Sequence, residues 1–282
     1  MGRAVVTAGS YARFLKLEHT LFSLPLLYAG AFLAARGLPD SRLLLLILVA
    51  GVAARTAALA LNRLIDRAID ARNPRTRERE LPAGRLRPSE AWALAVAGAA
   101  VYVAAAFAIA PICAWLSPAP LAVFVLYPYL KRFTPLAHFG VGLGLAAAPL
   151  GGFMAVRQSF QDPAPALLLG AFTLLWVAGF DVIYSTLDEG FDREAGLRSL
   201  PAALGRRRAL GVSALLHILA FVPLAVLFWT ELRSWVTLPF LAAAGVLLLL
   251  EQRKAEDVQL AFFQINAVLG FVVFGFVASG TL

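Results

Sequence analysis

Residues Ala60–Glu90 read ALNRLIDRAIDARNPRTRERELPAGRLRPSE. Asn62, Asp66 and Asp70 recur at every fourth position. At about 100° per helical residue, Asp66 and Asp70 lie about 40° and 80° around the axis from Asn62, so the three share one face. Upstream, an apolar run reaches back to Arg42, and downstream arginines crowd together. A long apolar helix therefore ends here with oxygen-bearing side chains on its last turns.

The remainder of the chain identifies the medium that helix leaves. Its 282 residues have a mean hydropathy of +0.77 and are only 15% charged, against about 25% for a soluble domain. A spanning helix needs about 20 apolar residues. Nine segments qualify: His19–Arg36, Arg42–Asp66, Ser89–Ala110, Ile112–Leu130, Ala137–Val156, Ala164–Thr186, Arg208–Trp229, Trp235–Leu250 and Leu260–Leu282. Only Pro111 separates the third from the fourth. The expected class is an all-α polytopic membrane protein, with residues 1–282 forming one domain. The first apolar run reads as a retained helix and not a cleaved signal peptide, because further spans follow it.

The net charge of +8 does not indicate nucleic acid, because the cations fall in short loops between membrane-length segments. Twenty of the 25 Lys and Arg lie at the N-terminus, at the end of the second segment and in the loop after it, and in the loops after the fourth, sixth and eighth segments. Arg36, Arg42, Arg157 and Arg233 lie on the other side, and Arg55 lies within the second segment. This bias puts the N-terminus and the cation-rich loops in the cytoplasm of a cell-membrane protein. Cys113 is the only cysteine, so no intrachain disulfide forms.

A second acidic stretch, DVIYSTLDEGFDREAGLRSLPAALGRRR (Asp181–Arg208), closes the sixth segment. Asp181, Tyr184, Asp188 and Asp192 fall on one face if the helix continues, although Gly190 weakens that reading for Asp192. Carboxylates near a membrane are costly without partners. Mg²⁺ takes one or two carboxylates and completes its shell with water and phosphate oxygens. Two acidic helix ends surrounded by Arg and Lys therefore point to a metal–diphosphate site, with Asn62, Asp66, Asp70, Asp188 and Asp192 as metal ligands. The competing reading for the first motif is salt bridging to Arg63, Arg67 and Arg72. Asp70, the outermost of its three, also reads as a solvated group.

These residues carry a family resemblance. NRLIDRAIDARNPRTRERELPAG and DVIYSTLDEGFD resemble the two signatures of the UbiA superfamily of intramembrane prenyltransferases. KLEHTLFSLP (Lys16–Pro25) and YPYLKRFT (Tyr127–Thr134) resemble its 4-hydroxybenzoate polyprenyltransferase branch. Arg63 stands where many members carry Asp, and Glu80 where some carry Pro. The resemblance implies nine transmembrane helices around a central cavity with the acidic motifs at its cytoplasmic rim. It also implies Mg²⁺-dependent transfer of a polyprenyl group from polyprenyl diphosphate to an aromatic acceptor such as 4-hydroxybenzoate, in quinone biosynthesis. A naphthoate or a glycerol-phosphate lipid is an alternative acceptor. A transporter also buries acids with an Arg, but it would place them midway along broken helices.

The resemblance assigns Lys131 and Arg132 to diphosphate contact; the plainer reading is a positive-inside anchor. Arg72, Arg75, Arg79 and Arg198 are further candidates, Arg79 and Arg198 being favoured because Leu-Pro turns follow them. Tyr127 reads either as a neighbour of the reacting ring or as an interfacial tyrosine. Arg55 lies seven positions before Asn62 and so on the same face, about 10 Å deeper. It binds either an acceptor carboxylate or a buried acid such as Glu18. Asp181 is either the base for the ring proton or a partner of Arg55, with Tyr184 beside it. Glu18 and His19 orient the acceptor or anchor at headgroup level. His138 and His217 read as packing or interface residues. The Gly-rich seam Gly140–Phe153 reads as close helix packing or as a lateral opening for the prenyl tail.

Overall fold

The computed structural model describes residues 14, 20–258 and 264–282, which form helices and turns with no strand among them. The helices are α1 (Thr20–Ala35), α2 (Ser41–Ile65), α3 (Arg67–Asp70), α4 (Pro88–Ile109), α5 (Pro111–Leu116), α6 (Pro118–Leu130) and α7 (Ala137–Arg157). They continue with α8 (Ala164–Ser185), α9 (Glu189–Glu194), α10 (Leu200–Leu204), α11 (Arg206–Thr230), α12 (Leu238–Arg253) and α13 (Asn266–Thr281).

Helix overlies every one of the nine expected segments, but six stretches are both long and apolar enough to cross a membrane. They are Ser41–Ile65, Pro88–Ile109, Pro111–Leu130, Ala137–Arg157, Ala164–Glu194 and Arg206–Thr230. Ser23–Ala35 and α13 are apolar but shorter. Glu18 and His19 lie outside the described residues.

Proline sets several boundaries. Ala110 is fully extended (φ −166°, ψ 154°) and Pro111 starts α5, which makes the tight connection. Pro88 and Pro118 likewise occupy first turns, where the missing N–H has no helical partner to lose. The apolar side chains of Trp92, Val96 and Phe107 on α4 are exposed, as suits a lipid-facing wall.

Helix α8 is the buried axis. Leu169, Phe172, Trp176, Val177, Val182 and Ile183 have no exposed surface. Helix α7 packs on one side of it and α11 on another. Trp176 stacks on Phe172 at 5.3 Å and meets Phe180 edge-on at 5.6 Å. Its indole Nε1 donates to Asn266 Oδ1 (2.7 Å), and Asn266 Nδ2 donates to Glu251 Oε1 (2.8 Å). Gln252 Nε2 donates to Ser213 Oγ (2.7 Å) and to His217 Nδ1 (2.8 Å). Ser213 in turn donates to the Gly179 carbonyl (2.8 Å). His217 is thus a packing residue with hydrogen-bond work. Gly179 admits its ring, since a β-carbon there would lie 2.3 Å from it.

The small-residue seam of α7 serves close packing. A β-carbon on Gly152 would stand 1.9 Å from the Leu27 carbonyl oxygen of α1, and one on Gly142 2.4 Å from that of Leu174 on α8. From the other face, a β-carbon on Gly30 of α1 would lie 2.0 Å from the Pro149 carbonyl oxygen. Bare backbone is therefore what lets α7 seat against both neighbours. With α6 packed on α2 and on α7, the two acidic helix ends come to opposite sides of one recess.

Candidate functional site

Helix α2 stops at Ile65 because Asp66 leaves helical geometry (φ −90°, ψ 0°), a region where active-site residues often sit. One further turn, α3, carries Asp70. Helix α8 similarly gives way at Thr186 to a 3-10 turn ending at Asp188, after which α9 carries Asp192. Each motif is thus a nearly continuous helix with one break. The breaks do not separate the acids: Asn62, Asp66, Asp70, Asp188 and Asp192 all line one cavity of about 210 Å³. Tyr127, Lys131, Arg79, Asp181 and Tyr184 complete the expected part of its wall.

Three of the motif acids, Asp66, Asp70 and Asp188, are each held by a Lys or Arg. Lys131 Nζ donates to Asp66 Oδ2 at 2.6 Å, and Asn62 Nδ2 reaches the same oxygen at 3.3 Å. Arg79 Nη1 sits 2.9 Å from both oxygens of Asp70. Asp70 is 6% exposed, so it is not the solvated group that its position suggested. Its place follows from the loop beyond α3, where Thr76 Oγ donates to the Asp70 carbonyl (3.0 Å) and folds the chain back.

The same loop crosses to the second motif. Asn73 Nδ2 and Arg75 Nε each donate to Asp188 Oδ1 at 2.8 Å, and a second Arg75 nitrogen pairs with Asp188 Oδ2. Arg75 Nη1 also donates to the Tyr184 hydroxyl at 2.8 Å. Burial lowers the Arg75 pKa, but its bonds to Asp188 and Tyr184 outweigh that and raise it overall, so the guanidinium stays charged. Burial pushes the Asp66 carboxyl above the usual carboxylate range even though Lys131 pulls it down. Ser199, ahead of α10, hydrogen-bonds Asp192.

Other expected residues sit elsewhere. Arg72 is exposed and off the cavity wall. Arg198 Nη1 donates to the Phe133 carbonyl (3.0 Å) and its backbone N–H to the Lys131 carbonyl (2.7 Å), so Arg198 fastens a loop. Arg132 stands just behind the wall: its Nη2 donates to the Ile65 carbonyl (2.9 Å) and pairs with Asp66 Oδ1 at 3.9 Å, and its guanidinium lies 4.7 Å from the Tyr129 ring centre. Arg55 is deeper in α2, does not line the recess, and keeps a buried Nε without a hydrogen bond. His138, read from sequence as a packing or interface residue, lines the recess; it is 3% exposed and its Nδ1 lies 2.7 Å from Asp181 Oδ2. Sequence reasoning did overlook Asn73. The Asn-Pro pair that starts its turn was the available signal; nothing comparable marks His138.

Among the described residues no three His, Cys, Asp or Glu converge as a ready metal cage. The donors still suit Mg²⁺: they are all oxygens, they are split between two walls, and Asp66 Oδ1 is buried without a hydrogen bond. Mg²⁺ prefers such partial shells, completed by water and phosphate.

Comparison with known proteins gives the family and the fold. The profile of the UbiA prenyltransferase family matches residues 23–268. The 4-hydroxybenzoate octaprenyltransferase of Aeromonas hydrophila is 30% identical over 277 residues, covering 95% of each chain. That of Ralstonia nicotianae is 33% identical over 201 residues, covering 70% of this chain and 68% of its own. The apo structure of a UbiA homolog from Aeropyrum pernix K1 superposes with a TM-score of 0.87 at 34% identity, covering 94% of this chain and 98% of that one. A UbiA homolog from Archaeoglobus fulgidus bound to GPP and Mg²⁺ superposes at 0.73 with 21% identity, covering 96% and 99%; it bears on the fold alone.

Proposed function

The chain belongs to the UbiA prenyltransferase family, and we propose that it moves a polyprenyl group from its diphosphate to the ring of an aromatic acid of the 4-hydroxybenzoate class, for quinone biosynthesis. One observation carries this reading: the acids of two distant helix ends line a single recess together with Lys131 and Arg79. The relatives named for octaprenyl transfer to 4-hydroxybenzoate support the choice of acceptor.

Asn62, Asp66 and Asp70 on one wall and Asp188 and Asp192 on the other would hold Mg²⁺, which would supply positive charge to the diphosphate leaving group. Lys131, Arg75 and Arg79 bind the remaining phosphate oxygens, each leaving a carboxylate to do so. Arg132 and Arg198 hold the rim, and Arg72 adds only diffuse positive charge. The allylic C–O bond breaks with its electron pair going to the diphosphate. An electron-rich ring carbon then bonds to the prenyl carbon, and Asp181 takes the ring proton. Tyr127 and Tyr184 flank the reacting atoms and exclude water, which would otherwise quench an allylic cation. Arg55 binds the acceptor carboxylate from below. The whole chain works as one membrane unit of nine crossings, with its N-terminus and this recess on the cytoplasmic side.

The test is a membrane assay with labelled prenyl diphosphate, Mg²⁺ and a panel of aromatic acids. A metal-dependent, lipid-soluble aromatic product supports the proposal. Product only with a naphthoate or a glycerol-phosphate lipid reassigns the acceptor, and no transfer to any of them overturns it.

A further inference from the structure

Resting on the aromatic prenylation proposed above, we propose that His138 is a positioning residue that holds Asp181 as acceptor of the ring proton. His138 is the second residue of α7, and Asp181 lies toward the end of α8. Both line the recess. The ring is 3% exposed, whereas the Asp181 side chain is 24% exposed and opens into the recess.

The hydrogen bonds fix the roles. His138 Nε2 lies 3.2 Å from the backbone N–H of Leu200, which can only donate. Nε2 must therefore accept, so the imidazole carries its hydrogen on Nδ1 and donates it to Asp181 Oδ2 at 2.7 Å. Leu200 is the first residue of α10, where a backbone N–H lacks a partner within its helix. One side chain thus satisfies that donor and orients the carboxylate. Among the described residues, Oδ1 of Asp181 takes no hydrogen bond, and the side chain lines the recess.

The step balances. The prenyl C–O electrons leave with the diphosphate, ring electrons form the new C–C bond, and the ring C–H pair restores aromaticity as its proton passes to Asp181 Oδ1. His138 does not receive that proton, because Nδ1 already bears one and Nε2 is engaged by Leu200. The proton stays on Asp181 until product leaves.

The experiment uses the purified full-length enzyme, Mg²⁺, prenyl diphosphate and 4-hydroxybenzoate deuterated on the ring. With the wild type, the isotope effect on kcat is close to unity because C–O cleavage limits the rate. In His138→Gln the amide reaches toward Leu200 and loses Asp181. There kcat falls about 10- to 100-fold and the isotope effect rises to about 2 or more, while KM for the diphosphate stays put. In His138→Asn the amide nitrogen stands near the Nδ1 position and restores the bond to Asp181, so most of kcat returns and the isotope effect subsides. A purely structural histidine lowers kcat without moving the isotope effect, and that result overturns the proposal. Should neither variant fold, Asp181→Asn decides: an unmoved isotope effect there rules out the acceptor and with it His138. Failure of the wild type to prenylate any aromatic acid is a separate outcome, which removes the underlying function.

Discussion

Arg75→Leu separates two possible jobs for the guanidinium on Asp188. In the resting site Arg75 forks onto both Asp188 oxygens and also donates to Tyr184. The two side chains are 30% and 15% exposed, so solvent discounts the pair. Its loss costs about 1 kcal/mol of stability at most. If Arg75 turns to the diphosphate when substrate binds, more is lost in catalysis. A charge-assisted hydrogen bond is worth about 1.5–3 kcal/mol, so about 3 kcal/mol for the fork lowers kcat/KM for prenyl diphosphate roughly 100-fold. Arg75→Lys keeps the charge without the fork and loses about 10-fold. The assay is initial rate against prenyl diphosphate at saturating Mg²⁺ and acceptor, with the melting midpoint in detergent as a folding control. An unchanged or raised kcat/KM in Arg75→Leu refutes the reasoning, because Arg75 would then only mask Asp188.

Asp66→Asn removes a proposed metal ligand while keeping its size, and the half-saturating Mg²⁺ concentration in the same rate assay should rise at least about 10-fold. Arg55→Leu should raise KM for the aromatic acid far more than KM for the diphosphate; equal changes in both would count against a carboxylate contact. Gly152→Val drives side-chain atoms into the α1 backbone and should cost about 1–3 kcal/mol, visible as a lower melting midpoint in detergent. Asn266→Ala strips partners from Trp176 Nε1 and Glu251 Oε1 and should destabilise by about 2–4 kcal/mol. Glu251→Gln should be close to neutral, because Glu251 Oε2 is buried without a hydrogen bond.

The motif acids were legible because carboxylates spaced four apart at the end of an apolar run are too costly to stand there unless a cation holds them. Helical periodicity carried the argument only as far as the helices go. Arg72 and Arg75 are equivalent to any pattern rule, yet a turn built on Asn73 sends one to Asp188 and the other to solvent. His138 gave no signal, since its partner Asp181 is 43 residues away and is reached only once α7 packs on α8. The helix count shows the same limit. Hydropathy finds nine apolar segments, of which six coincide with helices long and apolar enough to cross; a 16-residue helix such as α12 rises only about 24 Å and crosses only with flanking turns or local bilayer thinning.

Lys131 reaches in two directions. Its ammonium grips Asp66, while its carbonyl receives the Arg198 N–H from the far side of the recess. Two stretches that are remote in sequence are therefore latched at one residue, and the latch to Arg198 uses main-chain oxygen that no side-chain substitution deletes. The rim of the recess is therefore tied through one residue: a shift of the Arg198 segment carries the Lys131 backbone with it and so bears on the Asp66 contact.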